Sequence, residues 1–303
     1  MVLDECKQYG DFKKEFFMIM LDQVVVIDVI DRALYEDVRD GDITTLWTIP
    51  ETKQARAEFI AKAEGVVAGL DVVKWVFERV DTSVVFETRV NDGARVFPKD
   101  VIAEVHGPAR GLLTAERTAL NFLQRMSGTA TMTAQFVKAV KGTQTRILDT
   151  RKTAPGLRIL DKYAVATGGG VNHRIGLFDM VLLKENHIEA ADGIGPAVGA
   201  VRRAMAHRGR HMKIEVEVET LTQLEETLLL GVDRIMLDNM SLNDMRQAVD
   251  CVRKVAGKQP ELEASGNVSL ENVRAIAETG VDFISVGALT HSVKAMDISM
   301  LFR

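Results

Sequence analysis

The chain has 303 residues, of which 47% are apolar and 27% charged, with a formal net charge of −5. This composition excludes disordered and collagen-like proteins, and the length admits either one large barrel or two packed domains. Two cysteines, Cys6 and Cys251, are too few for a disulfide scaffold and predict a reducing, cytoplasmic location. No apolar run approaches the length of about 18 residues that a membrane span needs. The short run from Phe16 to Leu21 predicts a packed helix or strand.

Basic residues are concentrated in one part of the sequence. Residues 112–187 hold eleven Lys and Arg against five Asp and Glu, a net charge of +6, which leaves −11 for the rest of the chain. A basic segment in an acidic chain favours a small anionic ligand. Nucleic acid usually requires a basic domain with aromatic platforms, and aromatic residues make up only 6%. We therefore expect neither a nucleic-acid nor a membrane partner.

The first part of the chain, to about Gly128, mixes helical and strand patterns. Asn91-Asp92-Gly93 is typical of a hairpin turn and predicts that the strands on either side of it pair. The pattern as a whole predicts a small α+β domain closed by a long helix that ends at Gly128. The predicted helices cover residues 27–37, 70–80 and 113–126, the strands 55–61, 84–90 and 94–97, and a turn-rich loop 40–52.

From about Thr145 short apolar runs, each ending in polar residues, alternate with helical segments. This alternation predicts a parallel β/α architecture. Gly231-Val-Asp-Arg-Ile recurs as Gly280-Val-Asp-Phe-Ile, as successive units of one barrel would produce. A doubly wound open sheet is the alternative, although no Gly-x-Gly-x-x-Gly follows a first strand. The runs are 146–149, 180–184, 213–217, 234–238, 262–265 and 283–287, and the helices include 221–230, 242–255 and 270–278.

Active sites of β/α barrels lie at the carboxyl ends of the strands, so the polar residues that end each run are the candidates. Cations come early in the chain and acids later, which suits an anionic organic substrate on one side and a metal-bound polyphosphate on the other. The candidates are Arg151, Lys152, Lys184, Glu185, Glu217, Asp238, Ser265 to Asn267, and Gly287.

Asp149-Thr-Arg-Lys-Thr153 and Asn172-His-Arg174 bring two arginines, a lysine and a histidine into two loops. Two planar guanidinium groups could clamp a dicarboxylate, although a basic residue taken alone is more often a solvated surface group. Lys152 and Lys184 could instead form Schiff bases, as in barrel lyases. His106, His207, His211 and His291 have no recognisable partners and are expected on the surface or in packing.

Glu217 and Asp238 each end a strand, and Mg²⁺ is typically held by one or two carboxylates plus phosphate oxygens. As alternatives to a metal site, Glu215, Glu217 and Glu219 could simply occupy every second position on one face of a strand, and Asp238 could cap the next turn. Ser265-Gly-Asn267 and Val286-Gly-Ala288 each precede a predicted helix, where free N–H groups suit phosphate. A tight β-to-α turn would also need small residues there.

Several long motifs resemble those of the quinolinate phosphoribosyltransferase family, also called nicotinate-nucleotide pyrophosphorylase (carboxylating). The resemblance covers about residues 25–300 and leaves out residues 1 to about 20. Its motifs are Glu116-Arg-Thr-Ala-Leu-Asn-Phe-Leu-Gln-Arg-Met-Ser-Gly128, Asp149-Thr-Arg-Lys-Thr-Ala-Pro-Gly156, Lys162-Tyr-Ala, Gly168-Gly-Gly-Val-Asn-His-Arg174, Leu183-Lys-Glu-Asn-His187, Glu215-Val-Glu217, Leu237-Asp-Asn239, Glu263-Ala-Ser-Gly-Asn267 and Val286-Gly-Ala288.

The resemblance implies an α/β fold with an amino-terminal α/β sandwich domain (1–128) and an incomplete parallel β/α barrel (129–288) that carries the active site. A carboxyl-terminal helix, about 289–303, would pack back on the first domain. The implied enzyme is a homodimer in which Arg117 reaches the neighbouring site. It transfers a phosphoribosyl group from phosphoribosyl pyrophosphate to quinolinate with Mg²⁺, giving nicotinate mononucleotide, pyrophosphate and CO2 in NAD biosynthesis.

The resemblance also implies a role for each matching residue. Arg117, Arg151, His173, Arg174 and Lys184 would hold the two carboxylates, and Lys152 would lie near the reacting groups. Glu217 and Asp238 would bind the ribose hydroxyls and Mg²⁺, and Ser265, Gly266, Asn267, Gly287 and Ala288 the 5′-phosphate. Lys152, Lys184, Glu217 and Asp238 form the expected catalytic set. A molybdenum-associated paralogue with this fold and another substrate is the related alternative.

Overall fold

The computed structural model describes residues 21–303, so Cys6 and nearly all of the element expected at Phe16 to Leu21 lie outside it. Within the described residues, no helix combines the length and the hydropathy required to cross a membrane.

The amino-terminal part begins with two helices and then alternates short strands with helices. Asp22 and Asp42 start the first two helices, because each carboxylate accepts a main-chain N–H of the first turn. The elements are α1 (Gln23–Asp37), α2 (Ile43–Thr48), β1 (Gln54–Ala61), β2 (Gly65–Val66), α3 (Leu70–Val80), β3 (Val85–Thr88), β4 (Arg95–Val96), β5 (Val101–Pro108) and α4 (Ala109–Ala139).

The second part alternates strands and helices, as the sequence pattern predicts. Gly231 and Gly280 follow two of the helix ends at φ of +58° and +95°, a conformation that favours glycine. The elements are β6 (Arg146–Leu148), α5 (Arg158–Thr167), β7 (Val181–Leu183), α6 (Glu185–Ala190), α7 (Ile194–Arg208), β8 (Ile214–Val218), α8 (Leu221–Leu229), β9 (Arg234–Asp238), α9 (Leu242–Arg253), β10 (Glu261–Ser265), α10 (Val273–Ala277) and β11 (Phe283–Ser285).

The chain ends with the four-residue helix α11 (Ala288–His291) and the strand β12 (Ile298–Phe302). The expectation of a carboxyl-terminal helix is therefore wrong, although the segment does return to the first domain. Phe59 of β1 pairs with Met300 of β12 in an antiparallel ladder. Ile298 and Met300 are buried against the first domain and Ser299 between them is half-buried, which is the alternation of a strand.

The amino-terminal domain is a four-stranded antiparallel sheet in the order β12-β1-β5-β3, with α3 and α4 against it. Phe59 from the sheet meets Phe77 of α3 edge to face, with ring centroids 6.0 Å apart. The predicted hairpin is wrong, because β3 pairs with β5 and β4 pairs with β2. Asp92 of the predicted turn instead accepts the main-chain N–H groups of Gly69 and Leu70 at the start of α3.

Helix α4 runs through Gly128 to Ala139, so the predicted helix end is wrong as well. A Cβ at Gly128 would collide with the main-chain carbonyl of Lys294. The glycine therefore admits the returning carboxyl-terminal segment against the helix and does not terminate it. The same helix contributes Leu123 to the core of the first domain and Phe136 to the core of the second, which joins the two domains.

All the neighbouring strands of the second domain are parallel, in the order β6-β11-β10-β9-β8-β7. This is the strand order of a singly wound barrel opened between its first and second strands. Among the described residues β6 and β7 are the two ends of the sheet and do not pair with each other. The expected incomplete barrel is confirmed, and the carboxyl ends of its six strands meet at one rim.

Candidate active site

A cavity of about 800 Å³ opens at the carboxyl ends of the barrel strands. The structure brings every predicted site residue except Arg117 and Glu185 into its wall. These residues are Arg151, Lys152, His173, Arg174, Lys184, Glu217, Asp238, Ser265, Gly266, Asn267, Gly287 and Ala288.

The basic flank of the cavity is formed by the segment after β6 and by the loop before β7. Arg151 is half-buried, and its Nε is a buried donor for which the described residues supply no acceptor. Arg174 donates from Nη1 to the carbonyl of Met180 at 3.3 Å. Burial and the neighbouring Arg151 lower the pKa of the Arg174 guanidinium. Two arginines and an unmet buried donor suit a ligand with more than one carboxylate.

His173 lies between these cations and the buried floor of the barrel. Its Nδ1 accepts the main-chain N–H of Arg174 at 2.7 Å, and its Nε2 lies 3.3 Å from Glu215 and 3.5 Å from Glu263. Burial lowers the pKa of His173, which favours the neutral imidazole at neutral pH. Both ring nitrogens therefore face groups of the protein in this structure.

Opposite the basic flank, two carboxylates end β8 and β9. Glu217 forms an ion pair with Lys184 at the mouth of the cavity. Asp238 accepts a hydrogen bond of 2.7 Å from the Nδ2 of Asn239. Carboxylate oxygens of this kind, completed by phosphate oxygens of a substrate, form a donor set that fits Mg²⁺.

The floor of the barrel carries a buried charged cluster. Glu215 and Glu263 are fully buried, and Arg234 donates from Nη1 to Glu263 at 3.2 Å. Burial, and then the charge of Glu215, raise the pKa of Glu263 to about 7. His173, Glu215 and Glu263 lie close enough together to hold a metal ion, with their ligand atoms within 4.8 Å of one another. Arg234 already supplies a positive charge to this cluster.

Two loops of small residues complete the rim after β10 and β11. Gly266 has φ +105°, and a side chain there would collide with the amide of Asn239, so only glycine fits. The helix predicted at 270–278 is present as α10, although it begins only at Val273 and not directly after the loop; α11 begins directly after Gly287. A Cβ at Gly287 would lie 3.0 Å from His291 and 3.4 Å from Lys152.

Arg117 is exposed on α4, in the first domain. It is not part of the cavity wall formed by residues of the same chain. A contribution of Arg117 to the site of a neighbouring subunit therefore stays a prediction.

The sequence matches both domains of one family along nearly all of the described chain. The description "Quinolinate phosphoribosyl transferase, N-terminal domain" fits residues 42–127, and "Quinolinate phosphoribosyl transferase, C-terminal domain" fits residues 129–301. The chain belongs to the quinolinate phosphoribosyl transferase family.

Curated relatives and solved structures agree with this assignment. The chain is 47% identical to "Nicotinate-nucleotide pyrophosphorylase (carboxylating), chloroplastic" of Oryza sativa subsp. japonica, over 90% of this chain and 76% of the rice protein. It is 43% identical to "Probable nicotinate-nucleotide pyrophosphorylase (carboxylating)" of Bacillus subtilis, over 90% of this chain and 91% of that protein. The structure of the nicotinate-nucleotide pyrophosphorylase from Francisella tularensis has a TM-score of 0.89 at 40% identity, covering 95% of this chain and all of that one.

Sequence reasoning missed a second layer of the wall in this member of the quinolinate phosphoribosyl transferase family. Side chains of a strand alternate between its faces, so a residue two positions before a strand-end candidate lies on the same face of the strand. That signal was available in the sequence. The layer consists of Leu182, Met236, Glu263 and Ser285, two positions before Lys184, Asp238, Ser265 and Gly287 respectively.

Other wall residues carried no such signal. His291, expected on the surface or in packing, is exposed, and it also lines the cavity from α11. Thr150, Asn239 and Val268 also line it, each next to a predicted residue.

Proposed function

We propose that this member of the quinolinate phosphoribosyl transferase family transfers the phosphoribosyl group of phosphoribosyl pyrophosphate to quinolinate. The products are nicotinate mononucleotide, pyrophosphate and CO2, and the reaction, a pentosyl transfer, belongs to NAD biosynthesis. The observation that carries the proposal is the cavity itself. One flank presents Arg151, Arg174 and Lys184 and the opposite flank presents Glu217 and Asp238, in a chain whose two domains both match this family.

The basic flank binds quinolinate. Arg151 and Arg174 hold the two carboxylates through their planar guanidinium groups, and Lys184 adds a third charge. The set also includes His173 beside them and Arg117 from the neighbouring subunit of a homodimer. His173 reaches a carboxylate only when its Nε2 turns away from Glu215 and Glu263. Leu182 and Met236, both less than a tenth exposed, give the pocket an apolar wall for the pyridine ring. Holding the ring nitrogen in line for attack lowers the activation barrier by about 7 to 11 kcal/mol at most.

The acidic flank and the small-residue loops bind the phosphoribosyl donor. Glu217 and Asp238 hold the ribose hydroxyls and the Mg²⁺ ion, and their negative charge favours the positive charge that develops on the ribose ring. Mg²⁺, when bound, offsets charge on the leaving pyrophosphate. Lys152 lies beside Gly287 and interacts with the reacting groups or the pyrophosphate. The backbone of Ser265 to Asn267 and of Gly287 and Ala288 binds the 5′-phosphate.

Decarboxylation follows once the ring nitrogen is quaternary and positive, because the ring then stabilises the carbanion left by CO2. The carbanion takes up a proton from water, which gives nicotinate mononucleotide. The apolar wall favours decarboxylation, since the negative charge moves from the exposed carboxylate oxygens to a ring carbon beside the positive nitrogen. Cations that bind the carboxylates too tightly would oppose the same step. No nucleophilic side chain of the protein is needed.

Two other functions were open from the sequence, and neither is favoured by the comparisons. The Schiff-base lyase would need a free lysine amine. The Lys184 ammonium is paired with Glu217, so Lys152 is the lysine to which the borohydride test below applies. The molybdenum-associated paralogue would share the phosphate loops but not the substrate. A cytoplasmic location remains part of the proposal and rests on the two cysteines, while the rice relative is named chloroplastic.

The test is an omission series with the purified protein. Quinolinate, phosphoribosyl pyrophosphate and Mg²⁺ are mixed and mononucleotide and pyrophosphate are measured, and then each component is withheld in turn. We expect equal amounts of the two products, and none when any component is missing. Product formation that needs no quinolinate would contradict the proposal. Capture of a lysine by borohydride in the presence of substrate would move the assignment to the lyase.

A further inference from the structure

A buried ion pair lies directly beneath the basic flank. The Nζ of Lys162, on α5, is 2.6 Å from Oδ1 of Asp149, and both side chains have no exposed surface. Asp149 is the residue after β6 and stands immediately before the segment that carries Arg151 and Lys152. Burial raises the pKa of the Asp149 carboxyl, and the charge of Lys162 opposes that rise.

The pair also holds the other basic segment. Asp149 accepts the main-chain N–H of His173 at 2.7 Å, and Lys162 donates to the main-chain carbonyl of the same residue at 2.8 Å. Asn172 donates to the second carboxylate oxygen of Asp149 at 2.7 Å. Both polar main-chain groups of His173, the residue before Arg174, are therefore fixed by one member of the pair each.

We propose that Asp149 and Lys162 are positioning residues that set the distance between the Arg151 and Arg174 guanidinium groups, and so select a dicarboxylate. The proposal rests on the proposed function, in which these two arginines hold the two carboxylates of quinolinate. Two cations on separate loops match two adjacent carboxylates only when the loops keep one spacing. The ion pair is the contact through which the end of β6 holds residues 172 and 173.

Stability alone does not account for such a pair. A buried ion pair costs desolvation of both charges, and well-packed apolar residues of similar volume often stabilise a fold equally well. What apolar residues would not supply here is directional hydrogen bonding to the N–H and the C=O of His173. The ion pair therefore fixes the main-chain geometry of the loop that carries His173 and Arg174.

The test uses the full chain with Asp149→Asn, which keeps the shape of the side chain but removes its charge. We expect the KM for quinolinate to rise at least about tenfold while the KM for phosphoribosyl pyrophosphate changes less than about twofold, because a misplacement near 1 Å has effects of this size. Asn172→Ala removes one donor to Asp149 and leaves the ion pair, so a smaller rise in the same KM is expected. This second variant decides the question if Asp149→Asn does not fold.

Thr145→Val is the matched control. Thr145 lies just before the amino end of β6, is buried, and donates to the carbonyls of Ala277 and Val281 far along the chain. Its loss removes buried hydrogen bonds of the same barrel away from the basic segments. We expect lower thermal stability with both KM values unchanged.

The outcomes separate the two levels of the proposal. Wild-type protein that neither binds nor converts quinolinate overturns the proposed function and the positioning role with it. Wild-type turnover with an unchanged quinolinate KM in Asp149→Asn, or in Asn172→Ala if the first variant does not fold, overturns the positioning role alone. A fall in kcat with both KM values unchanged, as a smaller active fraction produces, also overturns it.

Discussion

Lys184 and Glu217 are ion-paired with each other across the mouth of the cavity. In the proposed function the lysine serves a carboxylate of quinolinate and the glutamate serves the ribose and Mg²⁺. The pair must therefore open when both substrates bind. Each partner holds the other in place until its own ligand arrives.

Glu217→Gln tests this division of roles. We expect quinolinate to bind at least as tightly as in the wild type when no donor is present, because Lys184 is released from its partner. Turnover should fall by about a hundredfold or more, the usual size of a lost transition-state charge contact. Calorimetric titration with quinolinate and steady-state rates over a Mg²⁺ series measure the two effects. The control is Glu219→Gln, an exposed residue beyond the strand; turnover of Glu217→Gln within threefold of the control contradicts the role.

Arg151→Ala removes one of the two guanidinium groups that hold the carboxylates of quinolinate in the proposed function. We expect the KM for quinolinate to rise by at least about tenfold, or turnover to be lost, since a charged hydrogen bond contributes about 1.5 to 3 kcal/mol. The fold should stay intact, as judged by circular dichroism and thermal unfolding. Arg246→Ala, on the exposed side of α9, controls for the loss of an arginine. Near-normal kinetics in Arg151→Ala would remove this residue from the site.

The role of Arg117 across a dimer is tested by complementation. Arg117→Ala and Arg151→Ala should each have little activity alone when quinolinate is present at its wild-type KM. In a mixed dimer one of the two sites has its own Arg151 and the partner's Arg117, so the purified mixed dimer should have about half of wild-type activity. Co-expression with two different tags, followed by assay of the doubly purified species, gives the measurement. A mixed dimer as inactive as its parents would show that Arg117 does not act in trans.

Glu263 predicts a specific dependence of stability on pH. Its pKa is raised to about 7 by burial and by Glu215, with His173 and Arg234 also facing it. Between the ordinary glutamate pKa of 4.5 and this value the folded protein keeps a proton that the unfolded chain has released. Protonated Glu263 therefore contributes its full stabilisation of the fold below about pH 4.5. As pH rises, this contribution to the free energy of unfolding falls by up to about 1.4 kcal/mol per pH unit, and it is lost as pH rises through 7.

Glu263→Gln removes that dependence. Compared with the variant, the wild type should lose free energy of unfolding steadily from about pH 5 to pH 7 and little beyond. Urea unfolding of both proteins across this range measures the difference, with Glu225→Gln on the surface of α8 as the control. A difference that is constant, or that increases with pH, contradicts the raised pKa.

Gly128→Ala should destabilise the protein, because the new Cβ collides with the carbonyl of Lys294. Overpacking of this kind costs about 1 to 3 kcal/mol, and here it pushes the returning carboxyl-terminal segment away from α4. Gly195→Ala is the matched helical control, since its nearest neighbour is Glu226 at 4.0 Å. Thermal unfolding should show a lower Tm for Gly128→Ala alone. Equal Tm values would mean that the two segments do not pack as described.

The barrel and its rim were predictable from the sequence, because each strand is a short apolar run ended by polar residues. The strands predicted at 234–238 and 213–217 agree with β9 and β8 to within one residue at each end. Family motifs then located Arg151, Arg174 and Asp238, and the structure brings them into one cavity.

Errors arose where long-range contacts decide the local structure. Gly128 is a helix terminator by its residue type, and only the approach of Lys294 explains why it lies inside a helix. Asn91-Asp92-Gly93 has the composition of a hairpin turn, but Asp92 is taken by the start of α3 and by the hydroxyl of Tyr163. Residues 298–302 form a strand because the edge of β1 accepts them.

The central claim is that this chain decarboxylates quinolinate as it attaches the ribose. Quinolinate labelled in its 2-carboxylate is incubated with phosphoribosyl pyrophosphate, Mg²⁺ and the wild-type protein, beside a tube that contains nicotinate instead. We predict that labelled CO2 and nicotinate mononucleotide appear in equal amounts with quinolinate, and that nicotinate gives no product. Absence of labelled CO2, or mononucleotide formed equally well from nicotinate, would contradict the account.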